Sequence, residues 1–258
     1  MCLIVFSYRQ HPDYPFVFAG NRDEFLDRPA TPMDFWTEAP DLLAGRDLRG
    51  GGTWLGLTRT GRFAAVTNYR EPGRHNPAAP SRGHLPVRFL LGDDPPAAFL
   101  DALAPEAGRY NGFNLLVGDG TSLHYFSNRD GRQELAPGLY GLSNHLLDTP
   151  WPKVVHARAR LAALLEAGPP EPEALFELLA DTTPAPDEAL PETGVGREWE
   201  RRLSSAFIRA PGYGTRAATV LLVDAEGVIT VAERTFPHDG QAPRTRRFRI
   251  ETGAGCNG

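Results

Sequence analysis

The sequence predicts an α+β protein built on antiparallel sheets, and three observations carry that prediction. Strand patterning stands at both ends of the chain with helical patterning between, the distribution of a mixed fold not wound from βαβ units. The chain holds 27 glycines and 24 prolines in 258 residues, enough turn residues to cut a sheet into many short strands. A helical stripe of Val154, Val155, Leu161, Leu164 and Leu165 runs through residues 151–166.

Taken in order, residues 2–8 and 15–20 read as a hairpin around His11, Pro12 and Asp13. A second hairpin joins 53–58 to 62–68 across Arg59-Thr60-Gly61, a turn of hairpin length. Helices follow over 85–91 and 95–103, the latter opening on prolines, whose missing N–H matters least in the first turn. Strands resume at 113–117 and 123–127 about Gly118-Asp119-Gly120. The 151–166 helix is stopped by Gly168-Pro169-Pro170, a shorter helix covers 173–180, and the Pro-rich, acidic stretch 184–196 reads as an exposed loop. A last hairpin pairs 219–223 with 228–233 around Ala225-Glu226-Gly227, and 253–258 reads as a frayed tail. The hairpins at 2–20, 53–68 and 219–233 are expected in two facing antiparallel sheets, with the 151–166 helix on an outer face.

Length and composition suit a single domain over residues 1–258. A net charge of −5 offers no basic field for nucleic acid, and no run is long and apolar enough for a membrane span or a signal peptide. The two cysteines, Cys2 and Cys256, make no disulfide framework, which fits a reducing cytoplasm. Lys153 is the sole lysine among 27 Lys and Arg residues, a bias that reads as genome composition. The seven histidines include no pair at zinc-site spacing, so neither metal nor cofactor is expected, and His145 reads as a solvated loop residue. Gly50-Gly51-Gly52-Thr53 lacks the Lys-Ser/Thr ending of a phosphate loop and reads as a tight turn.

Three features carry chemistry. A residue as small as Cys at position 2 permits removal of Met1, which would put a thiol and a free α-amine on one residue, a nucleophile beside its own base. The plainer reading of Cys2 is a small core residue in a buried strand. Gly20-Asn21-Arg22-Asp23-Glu24 follows the apolar run Phe16 to Ala19, and hairpin pairing brings Arg22 or Asp23 within reach of Cys2. There an Asp can hold the amine and an Arg favours thiolate. Asn68, Asn144 and Arg216 stand at strand ends; Asn there is ordinarily a turn former, but an amide can donate to an oxyanion and a buried Arg can polarise a site.

With Met1-Cys2-Leu3-Ile4, Asn21-Arg22-Asp23-Glu24, Trp54-Leu55-Gly56, Thr67-Asn68-Tyr69-Arg70, Leu142-Ser143-Asn144 and Thr215-Arg216 in order, nearly the whole chain resembles the NRDE family, also called the transport-and-Golgi-organisation family. That family is in turn similar, more distantly, to the N-terminal-nucleophile hydrolases of the penicillin V acylase and bile salt hydrolase type. The resemblance implies a four-layer αββα sandwich. It implies Cys2 as nucleophile, Asp23 as the acid that holds it, Asn68 and Asn144 as substrate and oxyanion donors, and Arg216 as the late Arg, all lining one cleft. Arg22 directly follows Asn21, whereas the acylase pattern sets its Arg ahead of an Asn, so the match of Arg22 stays open. Two functions follow from the resemblance: an amidohydrolase or acyl transferase acting on a small amide or ester, or a non-enzymatic carrier of haem or another amphipathic ligand.

Overall fold

The computed structural model describes residues 2–252, so Cys256 and the predicted tail lie outside the described residues. The chain opens with β1 (Cys2–Tyr8) and β2 (Phe16–Phe25), then β3 (Ala30–Trp36), β4 (Ala39–Asp47), β5 (Leu55–Thr58) and β6 (Phe63–Asn68). Helices α1 (His84–Leu91) and α2 (Pro96–Leu103) precede β7 (Phe113–Gly118), β8 (Leu123–Ser127), β9 (Gly131–Glu134) and β10 (Gly138–Leu142). Helices α3 (Pro152–Ala167), α4 (Pro172–Leu179) and α5 (Arg197–Arg202) lead to β11 (Arg209–Ala210), β12 (Tyr213–Val223), β13 (Val228–Thr235) and β14 (Arg244–Glu251).

The described elements form two compact units, one of residues 2–27, 137–143 and 147–250, the other of residues 28–136, 144–146 and 251–252. The first holds a sheet in the order β10-β1-β2-β12-β13-β14, with β11 paired to β12. Leu3, Val5, Val17, Ala19, Ala218 and Val220 alternate onto one face of it and pack with Val154, Leu161, Leu175 and Leu179 of α3 and α4. The second unit holds the sheet β3-β4-β5-β6-β7-β8-β9, a meander in chain order, whose Leu42, Ala64, Val66 and Leu115 pack with Leu85, Phe89 and Leu100 of α1 and α2. Two antiparallel sheets and two sets of helices are thus the layers of the α+β class that the sequence predicts.

Three details depart from expectation and one meets it. Strand β2 does not end at Ala19 but runs through the polar stretch to Phe25, because Asn21 and Asp23 are buried with partners for their side chains. Strands β3, β4, β9 and β14 carry prolines or exposed charges that hide their alternation, as in Arg-Thr-Arg-Arg-Phe-Arg-Ile-Glu of β14, and β10 is the short glycine-containing run Gly-Leu-Tyr-Gly-Leu. The stripe of α3 is inverted at its start: Lys153 is 4% exposed and Val155 43%. Gly50–Gly52 is the expected turn, with Gly51 at φ +75° and Gly52 so close to Gly83 that a Cβ would meet its carbonyl at 2.3 Å.

Candidate functional site

In the first unit the antiparallel register sets Cys2 directly opposite Arg22, and Arg22 opposite Ala217 on the far side. Period-two alternation gives Cys2 and Arg22 the same face of the sheet. Asp23 falls on the other face, with Asn21, whose amide donates to the carbonyls of Leu179 and Ala206 at 2.9 and 2.8 Å. Asp23 acts on Cys2 in two opposed senses, its backbone N–H favouring the thiolate and its carboxylate charge disfavouring it. Its carboxylate Oδ1 accepts from Thr215 Oγ1 at 2.6 Å, and Thr215 Oγ1 in turn accepts from Ile208 N–H. Ser143 Oγ donates to the Cys2 carbonyl at 2.9 Å, which ties the start of β1 to the end of β10.

Arg216 is the extra residue of a β-bulge: Thr215 pairs with Asp23 and Ala217 with Arg22, which leaves Arg216 between them. A bulge re-aims a side chain, and here the guanidinium bonds the carbonyls of Phe25 and Leu26 at 3.0 Å each. The tight strand crossing requires Gly214, where a Cβ would lie 2.7 Å from the Ile208 carbonyl.

Electrostatics divide these groups. Burial pushes the Cys2 thiol up from its ordinary value, and the Asp23 charge adds to that, while the Asp23 N–H and Arg22 oppose it. Burial also lifts the Asp23 carboxyl above the usual carboxylate range, opposed first by the Lys153 charge, then by the Thr215 hydroxyl and Arg22. Arg216 is lowered by partial burial and by the like charge of Arg22.

Asn68 and Asn144 belong to the second unit and meet there. Asn144, fully buried, donates from Nδ2 to the Asn68 carbonyl at 3.0 Å, and its own carbonyl accepts from Arg70 N–H at 2.7 Å. The next residue is anchored too: Asn114 Nδ2 donates to the His145 carbonyl at 2.9 Å and to Thr67 Oγ1 at 3.1 Å, while Tyr125 OH donates to Asn114 Oδ1 at 2.8 Å. The His145 ring is not a freely solvated group, since its Nε2 is 2.8 Å from Tyr69 OH and partial burial lowers its pKa. Among the described residues no three His, Cys, Asp or Glu side chains gather as metal ligands, and no helix is long and apolar enough to cross a membrane.

The structure therefore brings Cys2, Arg22, Asp23 and Arg216 to one end of the first sheet, and Asn68 with Asn144 to one loop of the second unit. Sequence reasoning gave no role to Thr215, the hydroxyl partner of Asp23, or to Lys153. The signal for Lys153 was its uniqueness in an arginine-rich chain, at the head of an apolar helical stripe.

An α+β protein of two antiparallel sheets, with a cysteine at position 2 beside an Arg-Asp pair, is the class these observations define. The profile of the family described as Transport and Golgi organisation 2 matches residues 1–238, and the chain belongs to that family. It is 40% identical to the Transport and Golgi organization protein 2 homolog of Bos taurus, over 98% of this chain and 100% of that one. With the Homo sapiens homolog identity is 36%, over 92% and 93% of the two chains. With the Drosophila melanogaster protein it is 27%, over 92% of each. Among solved structures, the C2A mutant of a conjugated bile acid hydrolase from Clostridium perfringens aligns at TM-score 0.47 and 8% identity, over 95% of this chain and 92% of that one. An N-acylethanolamine-hydrolyzing acid amidase ortholog from Caenorhabditis elegans aligns at 0.40 and 10%, over 86% and 92%.

Proposed function

We propose that the protein is an N-terminal cysteine amidohydrolase or acyl transferase acting on a small amide or ester. The observation that carries this reading is the register of β1 and β2, which sets Cys2 directly opposite Arg22 and so beside Asp23. After removal of Met1, the thiolate attacks the acyl carbon and the α-amine of Cys2 takes the thiol proton, then returns it to the leaving group. Arg22 binds substrate and favours the thiolate, Asp23 holds the Cys2 end of the strand, and Arg216 polarises the site. Asn68 and Asn144 keep the roles the resemblance implies, as donors to substrate and to the oxyanion. A nucleophile with a free thiol suits a reducing compartment, the cytoplasm.

With an unprocessed N-terminus the buried, upshifted thiol is a poor nucleophile and the amine sits on the wrong residue. The test is therefore intact mass, followed by acyl-enzyme trapping with a panel of N-acyl amides and thioesters, and peptide mapping of the adduct. Chain starting at Cys2 and an acyl group on Cys2 are expected, and Cys2→Ala should lower turnover by about 10³-fold or more with the fold retained. Retained Met1, or acylation that survives Cys2→Ala, rejects the reading.

A second reading, a carrier of haem or another amphipathic ligand, has its own observation. A hollow of about 580 Å³ in the first unit is lined by Leu26, Phe207, Ile208, Tyr213 and Phe236, with Arg209 beside them. That volume suits a small amphipathic ligand. Titration with hemin, followed by absorbance, tests it, and Phe236→Asp should weaken binding if the hollow is used.

A further inference from the structure

Lys153 is an anomaly on three counts. Every other cationic Lys or Arg residue in the chain is an arginine, yet this one is the compact, strongly hydrated ammonium. It is buried, at 4% exposure, while Val155, two residues on, faces solvent. It also stands in the first turn of α3, where the positive end of the helix dipole disfavours a cation. Desolvation and the dipole both oppose an ammonium there, so a buried anion must compensate.

The fold supplies one. Helix α3 packs on β1 and β10, and the face of β2 turned toward the helices carries Val17, Ala19, Asn21 and Asp23. Asp23 is 1% exposed, and among charged groups Lys153 acts on it most strongly, ahead of Arg22. From the helical side, Lys153 also borders a hollow of about 30 Å³ with His156, Arg160, Asp181, Thr183 and Ser204. The hollow has room for a water or two. Asp181, partly exposed and 4.0 Å from Arg160, feels the charges of Arg160 and His156, whereas the buried Asp23 feels that of Lys153.

We propose that Lys153 is a positioning residue: its ammonium, reaching the sheet from the head of α3, holds Asp23 as the carboxylate and so fixes the strand end that carries Cys2. Its consequence for turnover rests on the acyl-transfer reading above, but the charge pair does not. The chain needs Lys here because a guanidinium is planar, larger and demands five acceptors where the site offers few.

The test uses the full chain with Lys153→Met, which keeps length without charge, together with Asp23→Asn and the double variant. In protein labelled with ¹³C at Asp carboxyls, the resonance lost in Asp23→Asn identifies Asp23. It should titrate at least one pH unit higher in Lys153→Met than in the native chain. Lys153→Met should lower Tm by leaving the Asp23 charge buried alone, and the double variant should recover most of that loss, since removing both buried charges leaves neither unpaired. Unchanged Asp23 titration, or a double variant whose loss equals the sum of the singles, overturns the proposal. If Lys153→Met does not fold, recovery of folding in the double variant supports the pair and its absence overturns it. If the native chain turns over acyl substrates, kcat of Lys153→Met should fall at neutral pH and recover as pH rises. A native chain without turnover rejects the acyl-transfer reading and leaves the titration and the cycle to decide Lys153.

Discussion

The two units solve the same packing problem in opposite ways. The second is a meander whose strands pair in chain order, from β3 to β9, with an apolar core of Leu, Phe and Ala. A deeply buried polar cluster in it, Thr67, Asn114 and Tyr125, is joined by hydrogen bonds. The first is closed by distant segments: β1 pairs with β10 and β2 with β12, so that Asp23 meets Thr215 across 192 residues. It buries Asp23, Lys153 and Glu233, charges that are expensive to desolvate. Buried charge is poor glue, and Asp23 carries it to the end of the sheet that holds Cys2. The meander serves as the conventional part of the fold, and the candidate chemistry is concentrated where local order and cheap burial are both given up.

The largest effect that tests this contrast is on the meander's core. Phe89 is fully buried, with its ring 5.2 Å from Phe99. Phe89→Ala should cost about 3–5 kcal/mol in urea unfolding. The folded fraction should keep the native rate of Cys2 alkylation, and a changed rate would mean that the reactivity of Cys2 is not set within its own unit.

Asn144→Ala comes next and probes the exception, a candidate catalytic group on the meander side. Under the acyl-transfer reading, kcat should drop roughly a hundredfold or more, the scale of losing an oxyanion donor. Stability should also fall, by ~1–3 kcal/mol, because the Asn68 carbonyl loses its donor. A stability loss with unchanged kcat would reduce Asn144 to a loop anchor.

How much of this was legible follows the same division. The hairpin of β1 and β2, the turn at Arg59-Thr60-Gly61 and the β12–β13 hairpin are local, and their alternation is visible in the residues themselves. The pairing of β2 with β12 is not, since no pattern within either segment encodes a partner nearly two hundred positions away. Asn21 to Glu24 read as a strand end because polarity usually marks solvent. Here the partners that make those residues strand-competent, the Leu179 and Ala206 carbonyls and Thr215, come from other elements. Cys2, Arg22 and Asp23 stood out by residue type and order. The division of Arg22 and Asp23 between two faces followed from alternation once β2 was known to continue, and the expectation that it stopped at Ala19 hid it. Lys153 was hidden by the rule that a lysine on an amphipathic helix faces water.

Carboxylates sharpen the contrast with opposite signs. Asp47, in the second unit, accepts from Arg28 Nε at 2.6 Å, Gly50 N at 2.7 Å and Arg49 N at 2.9 Å. Partial burial alone would raise it, but these donors hold it below the usual range. A depressed folded value means that its contribution is fully present above the unfolded pKa of ~3.9 and is lost as pH falls through the folded value. Asp47→Asn should therefore cost about 1–3 kcal/mol at neutral pH, with the gap to the native chain closing in acid. Asp23, raised by burial, has the reverse sign: the folded state holds its proton more tightly, so stability declines as pH rises from ~3.9 through the folded value. Unfolding curves from pH 3 to 8 on Asp47→Asn and Asp23→Asn should diverge in these opposite directions, and parallel curves would remove the distinction.

The smallest effect belongs to the exposed ion pairs, which both units carry and which decide little. Arg202 on α5 donates to Glu198 at 2.5 Å with i,i+4 spacing, and its guanidinium also lies 5.7 Å from the Trp199 ring centre. The Glu198 side chain is 71% exposed, so water and salt compete for the pair, and Arg202→Ala should cost no more than about 0.5 kcal/mol. Repeating the measurement in roughly 0.5 M salt separates the two contacts, since screening weakens the ion pair and leaves the stacked guanidinium largely unaffected. A loss above about 1 kcal/mol that persists in salt would assign the effect to Trp199, making α5 a packed element and not a charged surface turn. A loss of that size that vanishes in salt would mean that surface charge contributes more to this fold than its solvent exposure implies.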